Sequence, residues 1–278
     1  MIRTERRRGM VAAVGGAAVL LALTACSSSD KGSDGSSSPS ASSSASASAT
    51  TPKVTGSVTV FAAASLKESF TTLGKQFEAA YPGTKVTFNF GGSDVLAASI
   101  TSGAPADVFA AASTKTMKIV TDAKDAAGTP APFVRNQLEI ATLPGNPDKI
   151  ASLKDLTKSG LKVALCAKTV PCGAAAQTAL TDSGLKLTPV SYEQDVKAAL
   201  TKVELKEVDA AVVYKTDVKA AGGKVQGVDF PESAKAINTY PIVELKNAPN
   251  GTAAQAFIAL VRSAEGQKVL TGAGFLNP

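Results

Sequence analysis

From about position 57 onward the apolar residues fall into two alternating rhythms. Val58-Thr59-Val60-Phe61 is a short β-rich run that ends in Ala62-Ala63-Ala64. After it, Leu66, Phe70, Leu73 and Phe77 recur at helical spacing. Ser65 and Glu68 have the spacing of a capping box at the start of that helix. Tyr81-Pro82-Gly83 stops it, Val86 to Phe90 alternates as a second strand, and Gly91-Gly92-Ser93 leads into a helix from about Asp94 to Ser102. Strand-like runs follow at Asp107–Ala111, Leu138–Leu143, Lys162–Leu165, Ala210–Tyr214 and Tyr240–Leu245. Helical ones follow at Lys115–Ala123, Ala174–Thr181 and Gln194–Glu204, with a closing pair across Thr252–Leu270. Repeated strand then helix predicts an α/β architecture with largely parallel sheets.

Before position 56 this pattern is absent. Arg3, Arg6, Arg7 and Arg8 precede an apolar, alanine-rich run from Met10 to Leu23, too short to span a bilayer comfortably. Residues 1–25 read as a signal peptide. Leu23-Thr24-Ala25-Cys26 resembles the lipobox of bacterial lipoproteins, which implies lipidation of Cys26 and anchoring on the outer face of the cell membrane. An ordinary secretory signal with an incidental cysteine is the other reading, and the export route stays open. Residues 26–55 are Ser- and Ala-rich and nearly devoid of large apolar side chains, so they are expected to form a disordered tether.

Export changes what charge and cysteine mean. Residues 1–25 carry four arginines and one glutamate, so the net charge of +6 for the whole chain falls to +3 beyond them. That gives no support to a nucleic-acid partner. With Cys26 assigned to lipid, Cys166 and Cys172 remain in an oxidising compartment and are expected to form a disulfide, with a buried free pair as the alternative. Two cysteines and no histidine do not make a zinc site, and no metal cation ligands are expected.

Three helix starts follow turns of small residues: Ala64-Ser65, Gly92-Ser93 and Pro171-Cys172-Gly173. A helix N-terminus offers unpaired N–H groups and about half a positive charge, and so holds an anion without Lys or Arg. A serine there adds a hydroxyl proton. Each serine taken singly reads as a plain helix cap. The repetition is what favours one shared anion site.

Several runs carry a family resemblance. Val58-Thr59-Val60-Phe61-Ala62-Ala63-Ala64-Ser65-Leu66, Phe90-Gly91-Gly92-Ser93-Asp94-Val95-Leu96-Ala97 and Gly103-Ala104-Pro105-Ala106-Asp107-Val108-Phe109 resemble the molybdate-binding proteins of ABC transporters. So do Val170-Pro171-Cys172-Gly173, Asp195-Val196-Lys197-Ala198-Ala199-Leu200 and Val212-Val213-Tyr214. The resemblance implies a two-lobed periplasmic-binding-protein fold of type II, α/β in class, with a ligand cleft between lobes joined by two crossing strands. Lobe I would be 56–134 and 241–278, and lobe II 135–240, with crossings near Arg135–Leu138 and Ile237–Ile242. It implies a monomer that captures molybdate, and tungstate with it, for an ABC permease, with no cofactor and no catalysis. The oxyanion would be held by the hydroxyls of Ser65, Ser93 and Tyr214 and by the backbone N–H groups of Cys172 and Val196, with Ala64 as an additional backbone donor. Two departures stand out. Cys172 replaces an alanine of the family pattern. Asp94 follows Ser93 where a small neutral residue is usual; it is either a first-turn acid facing the helix dipole or a carboxylate turned into the pocket.

A pocket of donors alone suits a fully deprotonated dianion and disfavours hydrogen phosphate, whose O–H would meet no acceptor. A sulfate- or phosphate-binding protein is the near alternative. An exported serine hydrolase is the distant one: the absence of histidine excludes a Ser-His-Asp triad, and neither a Gly-x-Ser-x-Gly elbow nor a P-loop is present.

Overall fold

The computed structural model describes residues 53–278. The proposed signal peptide, Cys26 and nearly all of the tether lie outside the described residues. Strand β1 (Gly56–Ala63) passes through a 3-10 turn at Ala64–Leu66 into helix α1 (Lys67–Ala80). Phe70, Leu73 and Phe77 of α1 are fully buried, as their spacing predicts. Phe70 and Phe77 join Phe257 and Phe133 in an aromatic cluster, with ring centroids 5.6–5.9 Å apart. Each such ring contributes about 1.5–3 kcal/mol by leaving water.

The first sheet has the order β2 (Thr84–Gly91), β1, β3 (Val108–Ala110), β10 (Asn238–Glu244), β4 (Ala131–Asn136). The second runs β7 (Ser191–Glu193), β6 (Val163–Cys166), β8 (Ala210–Tyr214), β5 (Leu138–Thr142), β9 (Gln226–Val228). Two cores pack on the first sheet, one with Val58, Val60, Phe70 and Phe257 and the other with Phe61, Phe109 and Val243, and a third with Ile140, Ala164, Leu200 and Val212 packs on the second. The chain leaves the first sheet at Asn136, enters the second at Leu138, and rejoins the first at Asn238.

The sheets are mixed rather than largely parallel. β1 pairs in parallel with β2 and β3, and β6 with β7 and β8, but β10 runs antiparallel to β3 and β4, and β5 to β8 and β9. Consecutive βαβ units force parallel neighbours. β4, β5 and β10 escape that rule because they carry the chain between sheets, and a sheet change has no hydrophobic period of its own.

The remaining helices are α2 (Ser93–Thr101), α3 (Thr114–Asp122), α4 (Pro171–Asp182), α5 (Val196–Glu204), α6 (Lys215–Ala221), α7 (Gly251–Arg262) and α8 (Ala264–Gly272). Helix α4 begins three residues earlier than its apolar spacing predicts. Pro171 stands at its first position, where a missing N–H costs nothing. Gly173 lets α4 approach the end of β6: a Cβ there would strike the backbone oxygens of Ala167 and Cys166. Cys166 and Cys172 are joined in a disulfide, with Cα atoms 5.8 Å apart, fastening the start of α4 to β6.

A short loop of this kind stabilises by about 2 kcal/mol through the unfolded chain. Replacing both cysteines by alanine is expected to lower stability by that amount in urea denaturation, and an unchanged midpoint would show that the bridge adds nothing.

Candidate functional site

The starts of four helical segments meet at the carboxyl ends of parallel strands, the customary place for a ligand in an open α/β sheet. The 3-10 turn after β1 and helix α2 come from the first sheet, and α4 and α5 from the second. They line a small, partly open cavity of about 10 Å³, bounded by Ala63, Ala64, Ser65, Gly91, Gly92, Ser93, Ala112, Val170, Pro171, Cys172, Asp195, Val196 and Tyr214. All six residues that the sequence singles out as anion donors are therefore in one wall: Ala64, Ser65, Ser93, Cys172, Val196 and Tyr214. No lysine or arginine is among the lining residues. Asp94 is not among them either. It lies in the first turn of α2.

The two serines are not helix caps. The residue capping α1 is Leu66 and that capping α2 is Gly92, and neither end has a side-chain cap bond. The capping box expected from Ser65 and Glu68 does not form, because the 3-10 turn moves Ser65 out of the cap position. Instead the Ser65 hydroxyl lies 2.9 Å from the Tyr240 hydroxyl, and the Ser93 hydroxyl accepts from the Ala112 N–H at 3.0 Å. Both serines are buried. The first N–H groups of each helix have no partner within it. At α4 these include Cys172, second in the helix after Pro171, and at α5 Val196, first in the helix after the cap Asp195.

Asp195 is the one acid in the wall, and the sequence reading did not assign it a role. Its carboxylate accepts from Ala198 N–H at 2.9 Å and is thereby committed to capping α5. Spacing alone could have suggested this, since Asp195 precedes the apolar run of α5.

Tyr214 ends β8 and is almost wholly buried. Burial pushes its phenol well above the ordinary range, reinforced by Tyr240 and Asp217, so it stays protonated and able to donate. Its oxygen accepts from the Asn238 amide at 2.7 Å. The same amide nitrogen donates to the Ala112 carbonyl at 2.8 Å, so Asn238 ties the wall from the first sheet to the wall from the second. Asn238 and Tyr240, both on the returning strand β10, were missed as site residues. Their only signal in the chain is their position on a predicted crossing.

A second tie lies beside the cavity. Lys197, next to Val196 on α5, pairs with Glu68 on α1 at 2.9 Å and with the fully buried Asp217 on α6 at 3.1 Å. Burial works against the Lys197 charge, but Asp217 and Glu68 outweigh it and hold its pKa above the usual value. Burial raises Asp217 to about 6, with Lys197 and the Tyr214 N–H opposing the rise. Gly92 marks a third close approach: a Cβ there would lie 2.5 Å from the backbone oxygen of Gln194, just before α5.

Residues 58–276 match the family described as Bacterial extracellular solute-binding protein. The chain belongs to that family. Among its relatives is the molybdate-binding protein ModA of Mycobacterium tuberculosis, 44% identical over 222 residues, which are 80% of this chain and 85% of that one. The substrate binding domain of a putative molybdenum ABC transporter from Clostridium difficile is 28% identical with a TM-score of 0.60, over 81% of this solute-binding protein and all of that domain. The periplasmic molybdate-binding protein of Azotobacter vinelandii has the same fold, with a TM-score of 0.70 at 21% identity over 80% of this chain and 99% of that one. The architecture is accordingly that of the periplasmic binding proteins.

Asp217 predicts a pH effect. Its pKa near 6 in the folded protein exceeds the ordinary 3.8, so between those values the folded state holds the proton more than the unfolded chain does. Its contribution to stability therefore falls as pH rises from about 4 to about 6 and is level above. In denaturant melts, wild type should lose ground to Asp217→Asn across that window and then run parallel to it. A difference independent of pH would contradict the assignment.

Proposed function

We propose that this protein captures molybdate outside the cytoplasm and hands it to the permease of an ABC transporter. The observation that carries the reading is a cavity lined by helix starts and three hydroxyls, without a lysine or arginine in its wall. Such a site suits a small, fully deprotonated dianion. Dipoles are aimed at it from several directions and no ligand proton is required. The names of the relatives, molybdate-binding proteins among them, agree with that chemistry.

In this reading Ser65, Ser93 and Tyr214 donate through their hydroxyls, and Cys172, Val196 and Ala64 through their N–H groups. About six bonds to a charged ligand, at roughly 1.5–3 kcal/mol each, are gross enough to support submicromolar affinity against association costs of about 4–15 kcal/mol. Tungstate, nearly the same size as molybdate, binds as well, and the smaller sulfate is rejected by cavity size. Lobe I (56–134 and 241–278) and lobe II (135–240) close on the anion and present a joint face to the permease. The protein works as a monomer, held at the outer face of the membrane by lipid on Cys26 and by the tether of residues 26–55. Its role is binding rather than catalysis, in keeping with a chain that has no histidine.

Calorimetric titration with molybdate, tungstate, sulfate and phosphate tests this. Tight binding of the first two alone is expected, weakened about 10- to 100-fold by Ser65→Ala or Ser93→Ala. Silence toward both metals, or a preference for phosphate, would reject it. Gly92→Ala should act differently, as a wedge against Gln194 that weakens molybdate binding about tenfold while leaving the ligand-free melting temperature within about 2 °C. Unchanged affinity would show that this approach is not needed for closure.

A further inference from the structure

Each hydroxyl in the cavity wall has a neighbour that settles what its own proton does. Ser93 accepts from the Ala112 N–H, a group that only donates. Tyr214 faces the Asn238 nitrogen at 2.7 Å. That nitrogen also reaches the carbonyls of Ala112 at 2.8 Å and Pro171 at 3.3 Å, which only accept, so it is the NH2 end of the amide and Tyr214 must accept from it.

The third case runs through two residues. Gln137 N–H donates to Asn136 Oδ1 at 3.0 Å, which fixes the Asn136 amide with its nitrogen toward Thr216 Oγ1 at 2.8 Å and Tyr240 Oη at 3.3 Å. Tyr240 thus accepts from Asn136. It is fully buried, and the Ser65 hydroxyl lies 2.9 Å away, a contact in which either oxygen could donate; donation from Tyr240 is the direction that leaves its proton partnered. A buried hydroxyl proton without a partner is costly. Tyr240 therefore donates to Ser65.

We propose that Asn238, the Asn136–Tyr240 pair and the Ala112 N–H are specificity-setting positioning groups: they fill an acceptor position on Tyr214, Ser65 and Ser93, leaving each hydroxyl proton to be donated to the bound anion. This rests on the molybdate reading and deepens it. A phenol oxygen has two in-plane positions. With Asn238 in one, Tyr214 has only its proton to offer. An oxyanion that carries its own proton brings a donor to a wall whose phenol has no acceptor position left and whose serines each keep a single one, whereas molybdate at neutral pH brings acceptors alone. Behind Ser65 and Tyr214 the discrimination comes from residues outside the cavity wall, since Tyr240, Asn136 and Asn238 do not line it; behind Ser93 it comes from Ala112, itself a lining residue. Burial also pushes the Tyr240 phenol above its usual range, so it remains a donor at neutral pH.

A pair of double-mutant cycles on the mature protein tests the relay, read by titration with molybdate. Tyr240→Phe keeps the ring that packs on Phe133 and Phe275 and removes only the hydroxyl. It should weaken molybdate binding about tenfold in wild type and less than about twofold in a Ser65→Ala background. Asn238→Ala, paired with Tyr214→Phe, should likewise lose at least about threefold of its effect. A second readout is competition against molybdate by sulfate and by hydrogen phosphate, two tetrahedral dianions of which only the second carries an O–H. Tyr240→Phe should improve hydrogen phosphate relative to sulfate. Equal losses in both backgrounds of both cycles would show that these residues only support the fold and would overturn the proposal. If wild type does not bind molybdate, the functional reading itself fails; if wild type binds and the cycles show no coupling, only this inference fails.

Discussion

The structure is organised around one constraint: a cavity proposed to hold an anion without a cation must be supplied with dipoles whose positions are fixed before the ligand arrives. A lysine tolerates a shift of an ångström because its charge acts over distance. A backbone N–H does not, since its bond weakens steeply with distance and angle. Each wall segment is accordingly fastened. The disulfide holds the start of α4 to β6, Asp195 caps α5, and Ala112 and Asn238 join Ser93, Tyr214 and Pro171 across the cavity.

The charged groups that do occur near the site serve the connection between walls. Lys197 pairs with acids on both sides of the cavity, Glu68 on α1 and Asp217 on α6, while its neighbour Val196 is in the wall. The cation is thus neutralised by carboxylates. The burial of Asp217 has a cost, visible in its raised pKa, and Lys197 and the Tyr214 N–H offset part of it. Breaking one member would leave an uncompensated buried charge, so the pair enforces geometry more than it adds net stability. Close packing completes the arrangement: Gly92 and Gly173 are both places where a single methyl would push one wall segment off its neighbour.

Much of this was legible in the chain because it rests on short-range pattern. The apolar spacing of Leu66, Phe70, Leu73 and Phe77 marks α1 and its buried face, and small-residue turns mark the starts of α2 and α4. The resemblance then selected Tyr214 and Val196, which residue types alone would have left as core positions. What the pattern misread has physical causes. Ser65 sits in a 3-10 turn whose hydrogen bonding is invisible in the apolar period, so it looks like a cap. The antiparallel pairings of β5 and β10 arise from a change of sheet, which leaves no periodic trace.

The sequence by itself determined the α/β class, the small-residue turns that precede α2 and α4, and the lack of histidine that removes whole classes of chemistry, and it led to the expectation of a bond between two cysteines close along the chain. These depend on neighbours within a few residues or on composition. Only the tertiary structure decided that Asn136, Asn238 and Tyr240 stand behind the cavity hydroxyls, that Glu68 meets Lys197 rather than Ser65, and that Asp94 is outside the wall. Those outcomes join residues as far as 175 positions apart, as Ser65 and Tyr240 are. Hydrogen-bond direction in a buried network follows from which donors and acceptors the fold brings together, and no local pattern encodes that.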